Sequence, residues 1–131
     1  MVQWHLRSAT KPSGGHKGSI RASDKRLSQK GGNPANTKIG KEKKTVSVTT
    51  GNNTKTKLLQ ASTAIIVDAS KKPAKAEIIA VMENPANTQF ARQNIITKGA
   101  KIKILLNGKE AMAKVTSRPG QAGAVHAVLL E

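Results

Sequence analysis

General acid–base chemistry runs most often through histidine, and this 131-residue chain has three: His5, His16 and His126. None has a second candidate ligand at helical or hairpin spacing, so no metal site is spelled out. There is no HExxH, no Gly-x-Ser-x-Gly and no Walker sequence. Gly14, Gly15, Gly18, Gly31 and Gly32 do not lie between a strand and a helix, so they form no phosphate loop. The chain has no cysteine, which removes disulfide frameworks, Cys-ligated zinc and thiol catalysis. The expectation is a protein without catalytic residues, metal, cofactor or small-molecule substrate, its histidines being polar contacts or surface.

The basic residues carry the stronger signal. Lys and Arg number 23 against 7 Asp and Glu, a net charge of +16. Such an excess repels itself in a free compact protein and asks for a polyanionic partner. Arg7, Lys11, Lys17, Arg21, Lys25, Arg26 and Lys30 recur among Gly, Ser and Pro, a pattern suited to a chain that follows phosphates along a groove. Lys38, Lys41, Lys43 and Lys44 continue the charge, and Lys55, Lys57, Lys98, Lys101, Lys103 and Arg118 fall at turns and on one strand face. Together these predict one continuous basic face for nucleic acid in general rather than for a base sequence. The only aromatics are Trp4 and Phe90, which argues against recognition by stacked bases. Trp4 either packs on the folded part or stacks on a base, packing being favoured, and Phe90 reads as core. A DNA-compacting protein is the alternative reading, and a small RNA-processing enzyme a weaker third.

The elements that position these charges divide into two compositions. Residues 1–44 hold 11 of the basic residues and five large aliphatics (Val2, Leu6, Ile20, Leu27, Ile39), too few to offset the entropy of ordering the backbone. Residues 45–131 hold 22 of the 27 Leu, Ile, Val and Phe residues and can form a small core. The expected organisation is a basic extended arm over 1–44 and a β domain over 45–131.

The β domain is read from short Ile- and Val-rich segments closed by turn residues. Lys44–Thr50 alternates with Val46 and Val48 on one face, and Gly51-Asn52-Asn53 turns. Lys55–Val67 is one or two strands broken near Ala61, and Asp68–Pro73 is a loop. Ala74–Glu83 presents aliphatics on both faces, as a central or tightly curved strand does. Asn84–Asn94 reads as a short helix or irregular loop, followed by a strand at Ile95–Thr97 and a turn at Lys98-Gly99. Lys101–Leu106 and Glu110–Thr116 flank Asn107-Gly108, a tight hairpin turn. Arg118-Pro119-Gly120 suits a type II turn before a last strand at Ala124–Leu130. Six to eight short strands with so small a core predict a mainly β fold: a small closed or partly open barrel with a long irregular N-terminal arm. The longest uncharged stretch, Pro119–Leu130, is too short to span a membrane as a helix, and an intracellular, soluble protein is expected. The pentapeptide Asn-Pro-Ala-Asn-Thr occurs at Asn33–Thr37 and Asn84–Thr88 with unlike flanks, which reads as two unrelated turn-forming loops, two similar RNA-facing loops being the alternative.

Two stretches carry a resemblance. Glu83-Asn-Pro-Ala-Asn-Thr-Gln-Phe-Ala-Arg-Gln-Asn-Ile-Ile-Thr-Lys-Gly-Ala100 and Ala113-Lys-Val-Thr-Ser-Arg-Pro-Gly-Gln-Ala-Gly-Ala-Val-His-Ala-Val-Leu-Leu-Glu131 resemble a signature of the small-subunit ribosomal family numbered eight in the archaeal and eukaryotic series, which is distinct from the universal family of that number. Gln3-Trp4 with Arg7-Ser8 and Gly14-Gly15, and then Thr37-Lys-Ile-Gly40, are similar to the family's earlier blocks. The short length resembles that of archaeal members. His5-Leu6 departs from a Gln-Gly type pair, and the stretch Ser13–Gly32 is less Arg-rich than the family pattern. The resemblance implies a structural component of the small ribosomal subunit in the cytoplasm, with small-subunit rRNA as partner, neighbouring ribosomal proteins open as further partners, and no homo-oligomer. By motif it implies rRNA contacts at Trp4, Arg7, Ser8, Lys38, Lys41, Arg92, Asn94, Lys98, Arg118 and Gln121.

Overall fold

A computed structural model describes residues 3–18, 26–67 and 72–130. Arg21, Lys25 and residues 68–71 of the expected Asp68–Pro73 loop lie outside the described residues. The chain divides into two compact units, Met1–Pro34 and Ala35–Glu131. Residues 35–44, which composition groups with the arm, thus fold with the second unit.

None of the described residues of the first unit is buried, in keeping with its few aliphatics. It nevertheless has local pairing of its own. Strand β1 (Gln3–Trp4) pairs antiparallel with β2 (Lys30–Gly31). A second loop closes through a Thr10–His16 bridge and a bond from Lys17 N to Ala9 O of 2.8 Å. The His5 ring lies where a Gly31 side chain would stand: a Cβ there would fall 2.2 Å from His5 Nε2. A side chain at Gly31 would therefore turn the exposed His5 ring aside.

The second unit holds two sheets. An open sheet joins β3 (Lys38–Ile39), β4 (Lys43–Val48) and β5 (Thr54–Ala61) in the order β3-β5-β4, with β3 parallel and β4 antiparallel to β5. Its hairpin turns through Thr50–Asn52, where Gly51 and Asn52 take φ of 75° and 60°. The other sheet is a closed barrel of β6 (Thr63–Val67), β7 (Pro73–Glu83), β8 (Lys101–Leu106), β9 (Lys109–Val115) and β10 (His126–Leu129), ordered β10-β6-β7-β8-β9. The mainly β barrel is as expected. Its closure takes five of the expected six to eight strands, and the expected strands at Lys44–Thr50 and in the first half of Lys55–Val67 build the open sheet with β3.

Period-2 alternation fills the barrel. Ile102 and Ile104 are fully buried while Lys101 and Lys103 between them point outward. Ile66, Ile96, Ala100, Ala113, Val115, Val125 and Ala127 complete the interior, with Leu58 and Ala61 reaching in from β5. The two-faced β7 has a specific cause. Its pairing steps from Ile78↔Ile104 to Ala80↔Lys103, a β-bulge that moves the buried side from Ala76 and Ile78 to Val81. Ile79 and Met82 are left outside. A second irregularity follows between Val81 and Glu83, and such extra residues bend a strand enough to close a small barrel.

Several turns match their residue types. The strand break near Ala61 falls at Ser62, and Asn107 and Gly108 both take positive φ (50° and 77°), as a two-residue hairpin requires. Others differ. Arg118-Pro119-Gly120 is not a type II turn: Pro119 opens a one-turn helix, α2 (Pro119–Ala122), and Gly123 at φ 68° ends it. Proline suits that first helical position because its missing N–H needs no partner there. Ile95–Thr97 makes a single bridge to Lys38 rather than a strand, although Ile95 and Ile96 are buried. Phe90, in α1 (Thr88–Arg92), is half-buried at the rim and not part of the core. Val46 and Val48 share a face as expected, but they are 62 % and 73 % exposed because β4 is an outer strand of the open sheet.

Candidate nucleic-acid interface

The strand directions give the barrel two unlike ends. At one end β7 and β9 finish and β6, β8 and β10 begin. Three segments gather there. The connection from β7 to β8 carries α1 with Arg92, then Asn94 and Lys98. The connection from β9 to β10 carries Arg118 and Gln121 on α2. The segment before β4 carries Lys38 and Lys41. The β4–β5 hairpin, with Lys43, Lys44, Lys55 and Lys57, leads into the barrel at the same end through Ser62. The opposite end has the Asn107-Gly108 turn and Lys72, and, among the described residues of the second unit, none of those expected to bind.

Short buried bonds tie the three segments together. Thr37 donates from Oγ1 to Leu58 O at 2.5 Å, and its own carbonyl accepts from Ile96 N at 2.8 Å. Asn84, only 3 % exposed, uses its whole side chain. Its Nδ2 donates to Ile95 O at 3.1 Å, and its Oδ1 accepts from Ala86 N at 3.1 Å and Thr97 Oγ1 at 2.9 Å. Asn94 sits at φ 51°, and its Oδ1 accepts from Val81 N (3.2 Å) beside the bulges of β7. Gly99 N and Val115 N bond to Val115 O and Ala100 O at 2.7 and 2.9 Å, which brings the Lys98 turn beside the approach to Arg118. Ser117 Oγ accepts from His126 N at 2.9 Å and donates to Ala124 O at 3.0 Å, closing the α2 loop. A Cβ added to Gly123 would lie 2.8 Å from Thr56 Cγ2, so α2 lies directly on β5.

Thr37, Asn84 and the side-chain oxygen of Asn94 therefore position loops, a role that residue type alone did not reveal. The repeated pentapeptide was the available signal for two of them. The two copies differ in conformation: Asn36 is left-handed at φ 43°, whereas Asn87 is extended and caps α1 by accepting from Gln89 N at 2.9 Å. They nonetheless grip the same stretch, Thr37 through Ile96, and Asn84 through Ile95 and Thr97.

The charges sort in the same way. Lys101 pairs with Glu83 and Lys103 with Glu110, each at 2.6 Å, and Lys44 pairs with Glu42 at 2.5 Å. Lys101 and Lys103 on the barrel wall thus leave the expected basic face, since each has its charge offset by a neighbouring carboxylate. Lys38, Lys41, Lys43, Lys55, Lys57, Arg92, Lys98 and Arg118 form no ion pair with a described acid. On the hairpin, Lys57 stands opposite Thr45 and Lys55 opposite Ser47, so both lysines share one polar face. In the first unit Arg7 donates to Gly18 O at 3.3 Å, Ser8 Oγ accepts from Thr10 N at 3.2 Å, and Trp4 pairs with Lys30 through the backbone ladder, 39 % exposed. Lys11 and Arg26 are exposed and Lys17 is half-buried. No group of three or more His or acidic side chains that could hold a metal ion comes together among the described residues.

A closed five-stranded barrel, with cations that pair with no described acid gathered at one end and on the adjoining hairpin, and a basic stretch before it in the chain, defines a small, strongly basic β-barrel protein. The chain belongs to the ribosomal protein S8e family, whose description matches residues 4–130. It is 45 % identical over 132 residues to the small ribosomal subunit protein eS8 of Methanosphaera stadtmanae, covering all of both chains. It is 47 % identical to that of Sulfolobus acidocaldarius, over 99 % of this chain and 98 % of the relative, and 39 % identical to that of Methanospirillum hungatei, over 99 % and 100 %. These relatives are archaeal, and the family is one of structural ribosomal proteins rather than enzymes.

Proposed function

We propose that this chain is a structural component of the small ribosomal subunit, in the cytoplasm, that binds small-subunit rRNA through the loop end of its barrel, the β4–β5 hairpin and the basic arm. The observation that carries the reading is the collection at one barrel end, and on the adjoining hairpin, of eight cations without an ion pair to a described acid: Lys38, Lys41, Lys43, Lys55, Lys57, Arg92, Lys98 and Arg118. A cation with no carboxylate neighbour has most to gain from a phosphate, and rigid loops hold such cations in register without ordering cost. Arg7, Ser8, Lys11, Lys17, Arg21, Lys25 and Arg26 extend the contact along the arm, with Trp4 beside them. Asn94 and Gln121 flank the cations, Asn94 offering its Nδ2, since its Oδ1 is held by Val81 N.

If eight phosphates are neutralised, log affinity falls against log salt with a slope of roughly −6 to −7. Reversing the charge at Lys98 and Arg118 should lower affinity for small-subunit rRNA at least tenfold and make the slope shallower by about 2, whereas reversing Lys72 and Lys109 at the other end should do neither. Equal losses from the two pairs would overturn the reading. Competition with duplex DNA adds a second arm: a DNA-compacting protein would give up rRNA to it readily.

A further inference from the structure

The β4–β5 hairpin repeats one arrangement along its length. Thr45 and Ser47 alternate along β4, and Thr49 follows just beyond it on backbone that is still extended (φ −116°, ψ 176°), so the three side chains share a face. Thr45 stands opposite Lys57 and Ser47 opposite Lys55. That face therefore carries a row of hydroxyls beside a row of ammonium groups. Neighbours within a row are about 6.8 Å apart, two residues of strand rise. The two rows stand about 5 Å apart, the separation of directly opposed residues. Two of the hydroxyls have their hydrogen engaged: Ser47 Oγ donates to Lys55 O at 3.3 Å, and Thr49 Oγ1 donates to Asn53 O at 3.0 Å. Each of these oxygens keeps lone pairs that can accept. The Thr45 hydroxyl bonds to no other described residue, and Lys55 and Lys57 form no ion pair with a described acid.

We infer that this face reads the ribose–phosphate edge of RNA: Thr45 and Ser47 engage ribose 2′-hydroxyls while Lys57 and Lys55 take the adjoining phosphates. This rests on the rRNA reading above and names what the hairpin recognises within it. Each nucleotide of RNA carries a 2′-hydroxyl beside the phosphate that follows it, so one hydroxyl–lysine pair matches one nucleotide and the next pair its neighbour. A serine oxygen whose hydrogen is already committed can only accept, and a 2′-hydroxyl can donate to it; DNA has no donor at that position. Strand propensity by itself would be met by valine, which the other face of β4 has at Val46 and Val48. Lysine takes the phosphates as a point charge and needs no particular base. The face has no aromatic to stack a base and no arginine fork for a base edge, so it reads backbone shape, as at the wide minor groove of an RNA duplex.

The test measures binding of the full chain to two short duplexes of one sequence, RNA and the same RNA with every ribose 2′-fluoro. The fluoro duplex keeps the A-form shape and the charge and lacks the 2′-hydroxyl donor. Wild type should bind the RNA duplex about tenfold more tightly, the worth of two hydrogen bonds. Thr45→Val with Ser47→Val suits a strand and should bind the two duplexes within about twofold of each other, with the salt slope unchanged. Lys55→Gln with Lys57→Gln should instead weaken both duplexes alike and make the slope shallower by about 2. A thermal melt of each variant checks its fold, and Ser47→Ala, a smaller change, should lose part of the preference. Equal wild-type affinity for the two duplexes overturns the inference, and so does a preference that survives in the Thr45→Val, Ser47→Val chain. A single strand of the same RNA bound about tenfold better than its duplex shows that bases are read, with the same consequence. Wild-type retention of small-subunit rRNA against duplex DNA tests the rRNA reading by itself. A chain that keeps rRNA yet does not distinguish the two duplexes loses this inference alone.

Discussion

The two sheets of the second unit are built from similar residues under different constraints. The barrel has five lysines and three glutamates over its strands, and the open sheet has five lysines (Lys38, Lys43, Lys44, Lys55, Lys57) and no acid. The barrel buries one face of every strand and satisfies its ladder all round, and two of its five lysines, Lys101 and Lys103, meet a glutamate on the wall. The open sheet buries Leu58 and Ala61 where β5 enters the core, and then extends outward with Val46 and Val48 uncovered. Burial is thus concentrated in the barrel strands, and the proposed rRNA contact draws on the others. A sheet that closes on itself can carry both signs of charge on its wall, whereas one that projects from it with lysines and no acid on its strands suits a partner that supplies negative charge.

The largest expected effect tests the stability half of that contrast. Ile104→Ala, at a fully buried site, should cost about 2–5 kcal/mol, read as a lowered denaturant midpoint, while Val46→Ala on the open sheet should stay within about 0.5 kcal/mol. Comparable losses would show that the open sheet is packed as tightly as the barrel. Asn84→Ala is next. It leaves the Ile95 carbonyl, the Ala86 N–H and the Thr97 hydroxyl without the partners they have now, a cost of about 1–3 kcal/mol, and it should weaken rRNA binding by loosening the Lys98 loop. Gly123→Ala combines a left-handed φ with a clash against Thr56 and should cost about 1 kcal/mol, with hydrogen exchange rising first in α2 and β5. The smallest effect divides the charges. Lys103→Gln should change stability by less than about 1 kcal/mol and leave the salt slope of rRNA binding unaltered, because its partner is Glu110. Lys57→Gln should be as mild for folding yet make that slope shallower by about 1. Equal slopes for the two variants would erase the distinction between wall and hairpin.

Much of the fold was legible because its signals are local. Alternation in Lys101–Leu106 places lysines outside and isoleucines inside, Asn107-Gly108 needs two positive φ angles, and the polar break after Ala61 separates two strands whatever lies around them. The arm's lack of a core follows from its five large aliphatics. The misreadings involve contacts between distant residues. Pro119 can start a turn or a helix, and packing of α2 on β5 favours the helix. The valines of β4 have a core pattern, and only their place on an outer strand exposes them. Lys101 and Lys103 cannot be separated from the other lysines until Glu83 and Glu110 come alongside. Asn84 and Thr37 look like ordinary loop residues until Ile95 and Ile96 come between them.

The sequence by itself determined the division into a coreless basic stretch and an aliphatic β-forming one, and the need for a polyanionic partner, since composition, alternation and net charge do not depend on who neighbours whom. The tertiary structure decided which strands close, where β7 changes its buried side, and which lysines of the barrel wall meet a glutamate. Those outcomes depend on distances between residues far apart in the chain, set when the barrel closed and its connections gathered at one end.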